Sequence, residues 1–183
     1  MEIIFWILVV CLAVYVLGRL VLASLGKENV VVKTDAPFVK EQMDEKSIVL
    51  SKELTFLNEG GSCATIMDAI ARPQLPYEQY DAVEARGKAE REGAPREDDY
   101  FEAVLIQKKG DRSGEDKLHI FAKIKLTARK GLSLAEALSH MVDVPIDFIW
   151  METGRTPWHY TKVRFTLTAE EIAQLAGVTL AKD

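Results

Sequence analysis

The 183-residue sequence predicts a mainly β protein, an antiparallel β-sandwich with two short helices behind an N-terminal transmembrane helix. Three observations carry that reading. Residues 3–17 form an uninterrupted apolar run that resumes over 20–25 after Gly18 and Arg19. Across 117–129 apolar and polar residues alternate, which is the period of a strand with one buried face. Ser133 with Glu136, and Thr168 with Glu171, have the spacing of a capping box, in which the hydroxyl and the acid satisfy each other's orphan backbone amides. The 48% hydrophobic and 28% charged fractions suit a chain that buries a core, and the length suits one domain plus an anchor. A net charge of −5 without a basic run excludes a nucleic-acid footprint, so no nucleic-acid partner is expected.

As a helix, residues 3–25 extend roughly 34 Å against a hydrocarbon core of about 30 Å, so membrane lipid is the expected partner of this segment. Arg19 lies near one end, where its side chain can snorkel to the interface. A cleavable signal peptide is the alternative, with Val21, Leu22 and Ala23 imitating a cleavage site. Such a peptide needs a positive start and about 7 to 15 apolar residues, whereas this chain begins Met1-Glu2 and the apolar segment is longer. The expected organisation is therefore an anchor over 1–26, a tether and first strand region over 27–46, and the sandwich over 47–183. Arg19, Lys27 and Lys33 favour a cytoplasmic domain by the positive-inside bias, but a long domain crosses largely regardless of nearby charge, and both faces stay open. Cys11 falls in the span and Cys63 stands alone in the domain, where a buried structural thiol is expected.

After the anchor, strands are expected at 47–57, 63–71, 100–107, 117–129, 146–151 and 158–167, with weaker candidates at 30–32 and 80–86. The best defined is 117–129, with Leu118, Ile120, Ala122, Ile124, Leu126 and Ala128 on one face. The turn Asn58-Glu59-Gly60-Gly61 suits positive φ, and residues 109–114 can close a hairpin. Pro73 and Pro76 should stop a ladder over 72–77, and the charged stretch 87–99 reads as a solvated loop or a fraying strand extension. The two capped helices carry apolar stripes, Leu134 with Leu138 and Met141, and Ile172 with Leu175, and should cover a sheet edge or an open end. No parallel-sheet reading fits, because the strands do not alternate with long helices.

Catalytic motifs are missing from the sequence. His119, His140 and His159 have no metal-ligand spacing and no cysteine partner, and neither a phosphate-binding glycine loop nor a nucleophile elbow occurs, so no cofactor and no metal are expected. The remaining candidate is aromatic. If 146–151 and 158–167 pair as a hairpin, Trp150, Trp158 and Tyr160 meet at its closed end beside Arg155. They then serve either as sandwich core or as an exposed patch for a protein partner. An enzyme would need a site assembled from distant residues, such as His159 with an acid from 87–99.

The run Leu54-Thr55-Phe56-Leu57-Asn58-Glu59-Gly60-Gly61, a strand ending in an N-x-G turn before the next strand, resembles the early strands of immunoglobulin-like modules in bacterial surface proteins, including the CARDB-like type. The likeness covers residues 48–71. It implies an immunoglobulin-like sandwich acting as a stalk, spacer or adhesive module, with no shared catalytic residue.

Overall fold

The computed structural model describes residues 2–78, 80–95 and 101–181. Helix α1 (Glu2–Ser24) leads into nine antiparallel strands: β1 (Val30–Lys33), β2 (Phe38–Met43), β3 (Ser47–Asn58), β4 (Ala64–Pro73), β5 (Val83–Arg91), β6 (Val104–Ile106), β7 (Lys117–Ala128), β8 (Val144–Thr153) and β9 (His159–Leu167). Helix α2 (Leu134–Leu138) lies between β7 and β8, and α3 (Ala169–Ala176) follows β9. One sheet runs β1-β3-β7-β5, with β2 also paired to β3; the other runs β6-β4-β8-β9.

The two sheets form a sandwich because their strands bury opposing faces. On β7, Leu118, Ile120, Ala122, Ile124 and Leu126 are all buried, and they pair across to Phe56, Leu54, Lys52, Leu50 and Ile48 of β3. Ile66 and Ala71 of β4 and Ile146, Phe148 and Trp150 of β8 meet them from the second sheet. Aromatic rings join the layers at one end of this core: Trp150 meets Phe56 edge-on at 5.1 Å, and Phe148 lies 6.1 Å from both.

Several local features that the sequence left open or missed have direct physical causes. Residues 27–46 hold β1 and β2, which pair with successive stretches of β3 and act as one edge strand broken at 34–37, where Pro37 lacks an amide. Lys52, though on the inward face, places its ammonium 5.1 Å from the Phe38 ring and 5.6 Å from the Phe165 ring, and it donates to the Ala36 carbonyl. Burial lowers its pKa. In β4 a bulge at Asp68, with φ of 52°, resets the alternation so that Ile66 and Ala69 both face inward. Pro73 belongs to β4 rather than ending it early, opposite Ile146.

Of the two readings of the charged stretch starting at 87, the strand extension holds as far as Arg91. It continues β5, paired with β7 from Val83 opposite Ala128 to Arg91 opposite Ile120. Its residues 96–99 lie outside the described ones, as does Tyr100 of the expected strand 100–107, within which β6 covers Val104–Ile106. Gly87 is required by a close approach: a Cβ there would sit 2.3 Å from the Ala71 carbonyl oxygen of β4, where the two sheets come together. The segment 109–114 does not close a hairpin, because β6 and β7 belong to different sheets and the loop carries the chain between them. Both capping boxes form. Tyr80 donates its hydroxyl to the Ala137 carbonyl, holding α2 to the segment before β5.

Candidate functional site

Strands β8 and β9 pair from Val144 opposite Leu167 to Glu152 opposite His159, and of the residues singled out in the sequence Trp150 lies on β8, Arg155 and Trp158 in the turn and Tyr160 on β9. The structure separates those residues. Trp150 points inward, is 2% exposed and belongs to the core. Trp158 and Tyr160 are 66% and 61% exposed, and their rings meet edge-on with centroids 6.5 Å apart. A four-residue patch is therefore reduced to the exposed aromatic pair and Arg155, because alternation along β8 sends Trp150 to the face opposite Met151, the partner of Tyr160.

Arg155 makes a contact that the sequence does not reveal. Its Nη1 donates to the carbonyls of Leu22 at 3.2 Å and Gly26 at 3.3 Å, at the C-terminal end of α1. Helix carbonyls there lack intrahelical partners and carry partial negative charge, so a cation satisfies both needs. Gly26, with φ of 71°, supplies the left-handed residue that lets the chain leave the helix. The same joint is stitched by Glu28. Its carboxylate accepts from the backbone N–H of Thr156 at 2.7 Å, from that of Arg155 at 2.9 Å and from the Ser62 hydroxyl at 3.2 Å. A side chain at 154 would collide with this carboxylate, since a Cβ on Gly154 would lie 2.6 Å from the Glu28 carboxyl carbon. Gly60 is glycine for a like reason: neither it nor Gly61 has positive φ, but a Cβ on Gly60 would stand 2.3 Å from the Lys27 carbonyl oxygen. Gly61 donates to that oxygen at 2.9 Å.

Burial pushes the Glu28 carboxyl up, but hydrogen bonds from Thr156, from its own backbone and from Arg155 outweigh it and hold the pKa at about 2. Because the folded value lies below the unfolded one, Glu28 stabilises the fold above about pH 4.5, and that contribution disappears as pH falls toward 2. Its upper bound is about 3 kcal/mol, reduced by solvent screening. In detergent, urea denaturation should show Glu28→Gln clearly less stable than the unmutated chain at pH 7, with the gap shrinking through this window. A gap independent of pH would exclude the carboxylate as its source.

Elsewhere several of the ionisable groups pair with one another. A groove of about 630 Å³ bordered by β2, β4, β5 and β7 includes Arg72, Arg86, Lys88, Lys123 and Lys125. Glu90, itself buried, pairs with Lys88 and lies 2.6 Å from Lys123, which also reaches Glu41 at 2.8 Å; Arg86 meets Glu84 at 2.7 Å. Asp147 holds Arg164 through two bonds of 2.7 and 2.9 Å. Glu152 is buried, and burial raises its pKa despite the Trp150 indole N–H at 3.5 Å. His159 lies opposite Glu152 with its Nδ1 3.1 Å from the Pro157 carbonyl, whereas residues 87–91 are in the other sheet, so the structure does not join them into one site. Cys63 is half-buried rather than enclosed, with its Sγ donating to Gln107 at 3.1 Å. Among the described residues no three His, Cys, Asp or Glu side chains form a metal-binding cluster.

No family model matches the chain, and no curated protein matches it. Among solved structures, the GAE domain of yeast GGA1 superposes with a TM-score of 0.35 and 8% identity, over 76% of this chain and 97% of that one. The GAE domain of GGA2p from Saccharomyces cerevisiae gives a TM-score of 0.34 and 11% identity, over 78% of this chain and 98% of that one. The two-sheet fold rests on the strand pairing itself.

Proposed function

We propose that this chain is a single-pass membrane protein that presents a non-catalytic, immunoglobulin-like domain as an interaction or accessory module at the bilayer surface. One observation carries the reading: α1 has 23 residues, nearly all apolar, and none is buried against the sandwich. In water such a helix would expose a continuous apolar surface on every side, and lipid removes that cost. Arg155 and Glu28 then hold the domain close to the end of the span. The likeness of residues 48–71 to immunoglobulin-like modules of bacterial surface proteins supports a binding rather than a chemical role.

The surface for a protein partner is the exposed pair Trp158 and Tyr160, at the start of the edge strand β9 of the second sheet, with Arg155 in the turn before it. Aromatic rings and Arg are the residue types that anchor interfaces, and the place of the pair near the helix end suits a partner that is itself at the membrane. A photo-crosslinker at Trp158 in intact membranes should give a discrete protein adduct that the same probe at Lys125, on the other sheet, does not. Absence of any adduct specific to Trp158 would sink the partner surface while leaving the anchor intact.

A further inference from the structure

A notch of about 530 Å³ opens between the end of α1 and the β8–β9 turn, lined by Arg19, Leu22, Ala23, Gly26, Lys27 and Arg155. The first four recur at i, i+3, i+4 and i+7, so they form one stripe of the helix and its exit, facing the turn. Three of the six are cations and none is an acid. The nearest carboxylate in sequence, that of Glu28, is already engaged by the Arg155 and Thr156 amides and the Ser62 hydroxyl. Arg19 and Lys27 make no ion pair among the described residues, in contrast to Lys88 and Lys123 in the groove on the other sheet.

We propose that this notch binds the phosphate of an anionic phospholipid headgroup, with Arg19, Lys27 and Arg155 as its ligands. The proposal rests on reading α1 as a membrane span, and that reading places the notch at the level of the headgroups. A helix C-terminus by itself repels an anion, but Arg155 covers the Leu22 and Gly26 carbonyls with Nη1 and has further guanidinium N–H donors for a phosphate oxygen. Arg19, inside the span, must reach toward the surface to escape hydrocarbon, and a phosphate there gives it a charge-assisted partner. Leu22 and Ala23, between Arg19 and Lys27, supply an apolar wall for the glycerol and upper acyl chain, which a free inorganic anion would not use.

The test uses the full chain in nanodiscs of phosphatidylcholine containing a minority of phosphatidylglycerol, with the lipid retained on the protein after detergent extraction measured by mass spectrometry. The retained lipid should be enriched in phosphatidylglycerol over the bulk ratio. Lys27→Gln should lower that enrichment about fivefold, the worth of one cation near a membrane surface, and Lys27→Arg should keep it. Arg155→Gln should lower it at least as far. Because the Lys27 side chain supports no other described contact, its variant remains informative even if Arg155→Gln loosens the joint. Retention at the bulk ratio, or equal enrichment in Lys27→Gln, overturns the site. Displacement of the lipid by millimolar inorganic phosphate overturns the lipid as its ligand. A chain that fails to float with vesicles overturns the span and the site together, whereas one that floats without enrichment overturns the site alone.

Discussion

Replacing Trp150 with alanine should destabilise the domain by about 3 to 5 kcal/mol, whereas Trp158→Ala should change stability by less than about 0.5 kcal/mol. The two residues are eight positions apart on one hairpin, and sequence offers both as members of the same patch. The difference comes from their surroundings. Trp150 is enclosed by Phe56 and Phe148, so its removal leaves a cavity between two sheets that cannot collapse independently. Trp158 is mostly in solvent, with Tyr160 as its ring neighbour. Chemical denaturation in detergent, followed by near-ultraviolet circular dichroism, measures both variants, and similar costs for the two would refute the assignment of Trp150 to the core.

An arginine at Leu12 should reduce stable insertion by roughly a hundredfold, corresponding to about 2.5 to 3.5 kcal/mol for a charge at the centre of a span. Leu12 lies near the middle of α1 and is exposed on a helix that packs on no other element. In a span Arg19 would be tolerated because its side chain can reach the surface, an escape that Leu12→Arg lacks. Alkaline carbonate extraction should leave the unmutated chain in the membrane pellet and release the variant. Limited proteolysis should meanwhile show the sandwich unchanged, since α1 contributes nothing to its core. Equal retention of the two chains would mean that α1 is not a span.

Both results bear on how much of this molecule can be read from its sequence. Strand β7 is legible because its inward and outward residues alternate over twelve positions, and the two capping boxes are legible because each is closed within four residues. Strand β2 escapes notice because only Phe38 of its six residues is buried, leaving no period of two to detect. The start of the stretch 87–99 looks like a loop because β5 carries charge on its outer face and glycine on its inner one, and the reason for that glycine is an Ala71 carbonyl on another strand.

The sequence by itself determined the long apolar helix, the mainly β character and the helix caps, since hydrophobic period and capping chemistry act between near neighbours and need no knowledge of the rest of the chain. Only the tertiary structure decided which tryptophan is core, why Gly60, Gly87 and Gly154 have no side chain, and where the apolar helix meets the domain. Arg155 and Leu22 are 133 residues apart, and Thr156 and Glu28, also partners at the joint, are 128 apart. Contacts of that range are made by the packing of two sheets, and no local pattern records them.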